Sequence, residues 1–130
     1  DLLAIPVRGG PSISLIRETG MFSYPVPSEM DSNNGYQVAY LQATFPKQSE
    51  TSNYRMALMD RDGSNKQIIF PAEGLPGMNP QQIIWSPPGF IEPFSQLGVL
   101  YQGNLWFVDP KTAQTLQITG DGSISRVDWK

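Results

Sequence analysis

Trp85-Ser-Pro-Pro88 repeats the earlier stretch Tyr24-Pro-Val-Pro27, and Val99-Leu-Tyr101 repeats Val38-Ala-Tyr40. In each copy sixteen residues separate the first aromatic residue from the last one, and the second copy follows the first at an offset of 61 residues. A constant spacing of this kind indicates a repeated structural unit, which has to be recognised before single elements are assigned. We therefore interpret the chain as a set of repeats.

A second motif recurs in the same order within each copy. Met56-Ala-Leu-Met-Asp60 corresponds to Leu105-Trp-Phe-Val-Asp109, but here the offset is 49 residues. The shorter offset is explained by Thr44–Asn53, a polar stretch without strand periodicity that lengthens one loop of the first copy. Loops absorb such insertions at a small free-energy cost. The two copies are therefore expected to share one architecture.

Each copy contains four short extended runs bounded by turn residues, which is the pattern of β-strands. The predicted strands are Phe22–Val26, Tyr36–Thr44, Tyr54–Asp60 and Gln67–Pro71 in the first copy, and Gln82–Ser86, Leu97–Gln102, Asn104–Asp109 and Thr115–Thr119 in the second. Asp, Asn, Gly and Pro residues between the third and fourth runs predict hairpin turns at 60–65 and 109–114.

The two ends of the sequence continue the repeat. Leu2–Ile5 and Ser12–Arg17 predict the last hairpin of a preceding unit, and Ile124–Trp129 predicts the first strand of a following one. Four antiparallel strands every ~45 to 50 residues is the period of a β-propeller blade. The predicted fold is all-β, a partial β-propeller of one domain, with a hairpin in 1–20, blades in 21–74 and 75–122, and a first strand of another blade in 123–130.

This fold has a consequence for the size of the protein. About two whole blades and parts of two others cannot close a ring of four or more blades, and apolar sheet faces would stay uncovered. We therefore expect the chain to be a fragment of a larger protein, a product of proteolysis or a subunit completed by another chain.

Composition excludes several classes of function. The chain has 130 residues with 39% hydrophobic residues, which fits one domain with a core. It contains no His and no Cys, so His-based triads, thiol nucleophiles, disulfides and thiolate zinc sites are excluded. The net charge is −3 without any run of Lys and Arg, so no nucleic-acid partner is expected. No apolar run approaches the ~18 residues of a membrane span, so no membrane insertion is expected either.

The turn at 60–65 is the one candidate for a metal site. Asp60, Asp62, Ser64 and Asn65 offer oxygen atoms as a hard cation prefers, but Gly63 is at the fourth position, whereas an EF-hand loop needs Gly at the sixth. A plain hairpin turn is therefore favoured. The other carboxylates are scattered singly, and no Ser or Lys has a residue to activate it. We predict a protein that is not an enzyme, with no catalytic, metal or cofactor-binding residues and no small-molecule ligand.

Apolar residues in loops are the candidates for contact with a protein partner, because exposed aromatic residues favour interface hot spots. The alternative is that these side chains pack beneath their own loops. Because the connections of a propeller alternate between two ends, Thr44–Asn53 is expected to share an end with Ala72–Pro80. The predicted partner-binding residues are Phe45, Pro46, Lys47, Leu75, Met78, Phe90 and Phe94.

The repeated motifs also resemble those of a known family. Met59–Asn65, Trp85–Gly89 and Asn104–Pro110 resemble the repeat of TolB-like propellers, which is also found in the propeller domains of prolyl oligopeptidase and dipeptidyl peptidase enzymes. The resemblance covers about residues 20–130. The sequence departs from it in three places: Tyr24 replaces a Trp, Pro88 stands where Asp is usual, and Asp128-Trp129-Lys130 stops before the Ser-Pro of the motif.

The resemblance implies a non-catalytic propeller that serves as a scaffold for protein partners, including chains or segments that complete the ring. It also implies a bacterial, extracytoplasmic setting, periplasmic or at the cell surface, although the lack of Cys is compatible with any compartment. Two alternatives remain open: the accessory propeller of a serine peptidase whose catalytic domain lies outside these residues, and a carbohydrate-binding or cell-surface module.

Overall fold

The chain forms a β-hairpin followed by two four-stranded antiparallel sheets. A computed structural model describes residues 1–87 and 96–129. The hairpin consists of β1 (Leu2–Ala4) and β2 (Ile13–Ile16). The first sheet consists of β3 (Val26–Pro27), β4 (Gln37–Ala43), β5 (Tyr54–Asp60) and β6 (Gln67–Phe70), and the second of β7 (Ile84–Trp85), β8 (Leu97–Tyr101), β9 (Asn104–Val108) and β10 (Thr115–Gln117).

Strand order in both sheets follows the order in sequence, so each sheet is a simple meander. The longest pairing joins β4 to β5 over seven residue pairs, from Gln37 opposite Asp60 to Ala43 opposite Tyr54. The predicted all-β class, the hairpin and the eight strands of the two repeats are confirmed, with several strands shorter than expected. The helical content is a 3₁₀ turn at Pro46–Gln48, and no helix in 1–87 and 96–129 is long and apolar enough to cross a membrane.

Three predicted strands differ clearly from the observed structure, and one of them, Gln82–Ser86, is reduced to β7. The strand expected at Phe22–Val26 is reduced to β3, because Tyr24 adopts a positive φ of 39° and interrupts the pairing with β4. Ser23 still accepts a hydrogen bond from the Leu41 amide at 2.7 Å. Ile124–Trp129 forms no strand: the Ile124 amide donates to the carbonyl of Gly103 at 2.9 Å, and no strand in the described chain pairs with this segment.

The core between the two sheets is the larger of two apolar clusters. Alternate residues of a strand point to opposite faces, and in β5 the buried side chains of Tyr54, Met56 and Leu58 face the second sheet. The edge-on ring pair Phe70–Tyr101, with centroids 5.3 Å apart, lies in the same cluster. We call this cluster the intersheet core.

The opposite face of the first sheet is also covered. Val38, Tyr40, Ala57 and Met59 form a second buried cluster with Ile16 of β2. We call it the hairpin core. Because both faces of β4 and β5 are buried, both strands have continuous apolar runs, whereas a half-exposed strand would alternate apolar and polar residues. The first sheet is therefore an inner layer between the hairpin and the second sheet.

The substitution Gly63→Ala is expected to weaken the contact between the hairpin and the first sheet. Gly63 has a φ of +84°, and a Cβ there would lie 2.9 Å from the carbonyl oxygen of Leu15. Gly74 has nearly the same φ, +85°, but open space around it. Gly74→Ala should therefore lower the free energy of unfolding by about 1 to 2 kcal/mol, the cost of a left-handed backbone conformation for a residue with a Cβ. Gly63→Ala should lower it clearly more, because its Cβ also meets the Leu15 backbone. Urea unfolding of both variants measures the difference, and equal losses would contradict the close contact.

Stability is expected to fall in alkaline solution through Tyr40. Burial raises the pKa of the Tyr40 phenol above its usual 10.0. As the pH rises past 10.0, the phenol of the unfolded chain loses its proton while that of the folded chain keeps it, so the free energy of unfolding decreases. Tyr40→Phe should flatten this decrease, whereas Tyr24→Phe, at a side chain that is 41% exposed, should retain it. Chemical unfolding at a series of alkaline pH values tests both, and a slope unchanged in Tyr40→Phe would refute the assignment.

Candidate partner-binding surface

Two long connections lie side by side at one end of the first sheet. They are Thr44–Asn53, between β4 and β5, and 71–83, between β6 and β7. Tyr54 and Met78 exchange two backbone hydrogen bonds, of 2.9 and 2.7 Å, and a Cβ on Gly77 would lie 2.7 Å from the Cβ of Asn53. The predicted placement of Thr44–Asn53 and Ala72–Pro80 at a shared end is therefore confirmed. We call these two connections the paired loops.

The first paired loop is held by hydrogen bonds from within. The hydroxyl of the buried Tyr54 donates to the Ser49 carbonyl at 2.8 Å and accepts from the Phe22 amide at 3.4 Å. The hydroxyl of Ser52 accepts from the Phe45 amide at 2.9 Å and donates to the Asn53 carbonyl at 2.7 Å. These buried polar groups are therefore satisfied within the chain, and they tie the loop to β5 and to Phe22.

The second paired loop is held by Arg55. Its guanidinium donates to three backbone carbonyls, those of Pro71 at 2.8 Å, Ala72 at 3.1 Å and Leu75 at 2.6 Å. The planar fork of an Arg side chain suits several acceptors at once. Arg55 follows Tyr54 directly, so the first two residues of β5 anchor both loops.

The predicted partner-binding residues have different locations. Phe45 is 64% exposed and Leu75 50% exposed, Lys47 is exposed and Pro46 is half-buried. Met78 is 2% exposed and belongs to the intersheet core, so its side chain cannot contact a partner. The backbone bridge between Met78 and Tyr54 turns the Met78 side chain inward. The sequence around Met78 has no strand periodicity, so it gives no sign of this burial. Phe90 and Phe94 lie outside the described residues.

Sequence reasoning missed Met21. This side chain is 58% exposed and, with residues 47–51 of the first paired loop, lines a shallow groove of about 400 Å³. Its position just before a predicted strand gave no sign of exposure. The exposed apolar side chains Met21 and Phe45 therefore both belong to this end of the first sheet.

The opposite end of the sheets carries an open groove of about 970 Å³ whose lining includes Asp31, Asp60 and Asp62. These carboxylates are engaged in their own turns. Asp31 accepts from the Gly35 amide at 2.7 Å, and Asp60 accepts from the Asn65 side chain at 2.7 Å. The hydroxyl and amide of Ser64 donate to Asp62, which holds the pKa of that carboxyl below its usual value.

The turn at 60–65 has the geometry of a hairpin turn. The Asp60 amide donates to the Ser64 carbonyl at 2.9 Å, and the Gly63 amide donates to the Asp60 carbonyl at the same distance. In the part of the chain that the structure describes, no three carboxylates gather in an arrangement that could hold a metal ion. The hairpin predicted for this stretch is confirmed.

No protein-family model, curated protein or solved structure matches this chain. The resemblance to TolB-like propellers therefore depends on the repeated sequence motifs alone. Any function has to be inferred from the geometry just described.

Arg55→Lys is expected to loosen the second paired loop. A lysine keeps the charge but lacks the planar guanidinium that reaches three carbonyls. We therefore expect the free energy of unfolding to fall by about 1 to 2 kcal/mol. Hydrogen exchange at the Leu75 and Met78 amides should accelerate, because both lie in the loop that Arg55 holds. Arg61→Lys is the matched control, since Arg61 makes one exposed bond, to the Asn34 carbonyl. Unchanged exchange in Arg55→Lys would show that Arg55 does not hold the loop.

Proposed function

We propose that this chain is a non-catalytic β-propeller module that acts as a scaffold for a protein partner. The observation that carries the proposal is the position of the first sheet, a four-stranded antiparallel meander covered on one face by the hairpin and on the other by the second sheet. A propeller blade is a sheet of this kind with a neighbour on each face. The two-stranded hairpin then corresponds to part of the preceding blade, and the four-stranded second sheet to the following blade.

The repeated aromatic position supports the same stacking. The indole N–H of Trp85 in β7 donates to the Val26 carbonyl in β3 at 3.1 Å, so the first strands of the two sheets are linked. One repeat later, the ring of Trp129 packs against Phe107 of the second sheet, with centroids 5.7 Å apart. Trp85 and Trp129 thus each contact the sheet that precedes them in the chain. This regularity is what blades arranged in succession would produce.

The paired loops support the binding role. They present Phe45 and Leu75 on a backbone that is already fixed by Arg55 and by the Tyr54–Met78 bridge. A loop ordered in advance loses little conformational entropy on binding, so more of the contact energy contributes to affinity. Aromatic side chains such as Phe45 are enriched in protein interfaces, whose rim is polar, as the residues around Phe45 are.

The outer faces of the hairpin and of the second sheet carry exposed apolar residues, which suggests how a ring would be completed. Leu3 and Ile13 of the hairpin are 50% and 56% exposed, and Leu116 in the second sheet is 61% exposed. A closed ring has four or more blades. We therefore expect further strands, from the same polypeptide or from another chain, to cover these apolar residues.

The mass of the protein from its natural source tests the propeller. We expect either a polypeptide much heavier than 14.4 kDa or a stable complex of that mass with complementary chains in native mass spectrometry. A 14.4 kDa monomer that unfolds cooperatively would mean that the two sheets and the hairpin are stable as an open stack, which would refute the propeller.

Site-specific photo-crosslinking tests the binding role. A crosslinking amino acid placed at Phe45 and, separately, at Leu75 should capture the same protein in cells of the natural source. The control position is Thr112, which is exposed in the β9–β10 turn at the other end of the second sheet. Equal capture from all three positions, or none from positions 45 and 75, would contradict the proposal.

A paired substitution separates binding from folding. Phe45→Ser with Leu75→Ser should abolish the crosslinked complex while changing the free energy of unfolding by less than about 1 kcal/mol, because exposed side chains contribute little to stability. The control pair Thr112→Ala with Gln114→Ala should leave both unchanged. Retained complex formation in the Phe45 and Leu75 variant would place the partner elsewhere.

A further inference from the structure

Asn34 and Gly35, in the connection between β3 and β4, form the one Asn-Gly pair in the sequence. This dipeptide has a chemistry of its own. The backbone nitrogen of the glycine can attack the side-chain carbonyl carbon of the asparagine, forming a five-membered succinimide and releasing ammonia. Water then opens the ring to aspartate or isoaspartate. Glycine favours the reaction because it lacks a Cβ that would hinder the nitrogen and restrict the backbone.

The structure holds the attacking nitrogen in a closed turn. The Gly35 amide donates to Oδ1 of Asp31 at 2.7 Å, and the same oxygen accepts from the Asn33 amide at 2.8 Å. Two backbone hydrogen bonds close the turn, from the Asp31 amide to the Gly35 carbonyl at 2.8 Å and from the Asn34 amide to the Asp31 carbonyl at 3.1 Å. Asn34 itself is exposed, with a φ of 58°.

The hydrogen bond to Asp31 opposes the reaction. The Gly35 nitrogen must lose its proton to attack, but that proton is held by a carboxylate, and a negative charge beside the nitrogen disfavours its deprotonation. The bond has to break before the ring can form. The carbonyl of Asn34 is also fixed, because it accepts from Nη1 of Arg61 at 3.0 Å.

The same carboxylate is in close contact with Gly35. A Cβ at this position would lie 2.7 Å from Oδ2 of Asp31, so a larger residue would force the Asp31 side chain to shift. The observed position of the Asp31 side chain thus favours a glycine after Asn34, and the glycine creates the reactive pair. The turn contains both the susceptible bond and the group that protects it.

We propose that Asn34 is a site of spontaneous deamidation in this protein and that Asp31 controls its rate. The reaction consumes one water and releases one ammonia, and it needs no other reactant. Its product adds a negative charge to the 970 Å³ groove, whose lining includes Asp31, Gly35 and Arg61. Isoaspartate also lengthens the backbone by one carbon, which the hydrogen bonds of the closed turn do not accommodate.

Peptide mapping of the full chain after incubation in mildly alkaline buffer tests the proposal. The conversion of amide to acid should occur at Asn34, more slowly than in a synthetic peptide of residues 29–38 by about ten- to a hundredfold, the factor expected when a hydrogen bond to a charged group must break first. Asp31→Ala should raise the rate towards that of the peptide. Asp31→Asn, which keeps an acceptor oxygen without the charge, should give an intermediate rate.

Ser32→Ala is the matched control, because it changes the same loop and leaves the bonds of Asp31 in place. Urea unfolding of each variant checks that the sheets remain folded, and Asp31→Asn preserves the test if Asp31→Ala does not fold. Equal rates in the wild type and both Asp31 variants, or a wild-type rate equal to that of the peptide, would refute control by Asp31. Faster conversion at any other asparagine than at Asn34 would refute the site.

Discussion

The burial of both faces of β5 is the constraint on which the rest of the structure depends. Met56, Ala57, Leu58 and Met59 are all 0% exposed. Because successive side chains of a strand point to opposite faces, such a run is stable only if a separate layer covers each face. Met56 and Leu58 pack in the intersheet core, whereas Ala57 and Met59 pack in the hairpin core. The hairpin and the second sheet are both required by this one strand.

The paired loops are held by residues of the same strand, β5. Tyr54 begins β5 in the intersheet core, and its hydroxyl and backbone hold one loop each. Arg55, the next residue, points the other way and binds the second loop through three carbonyls. The residues that position the loops presenting Phe45 and Leu75 therefore belong to the most buried strand. Preorganisation of this surface follows from the packing of the first sheet.

The strands could be predicted from the sequence because their signals are local, namely apolar runs and the turn residues that end them. The predictions are wrong where the conformation of a single residue, or a contact with a residue distant in sequence, determines the structure. The positive φ of Tyr24 shortens β3, and no pattern in Tyr24-Pro25 indicates it. Met78 resembles any loop residue, but its pairing with Tyr54 buries it. The sequence motif at Ile124–Trp129 predicts a strand, yet a strand needs a neighbour, and the described residues provide none.

The two ends of the sheets differ in how their polar groups are used, and this difference bears on recognition. At the groove end, Asp31, Asp60 and Asp62 accept hydrogen bonds from their own turns, so these charges already have partners. At the end with the paired loops, the hydrogen bonds hold the backbone, and the apolar side chains of Met21, Phe45 and Leu75 are exposed among polar and charged ones. Burial of these three apolar side chains in a contact would contribute about 25 cal/mol per Å² of apolar area. Salt would weaken only the part of such a contact that involves the exposed charges of Lys47, Glu50 and Glu73, because screening acts on exposed charges and not on apolar surface.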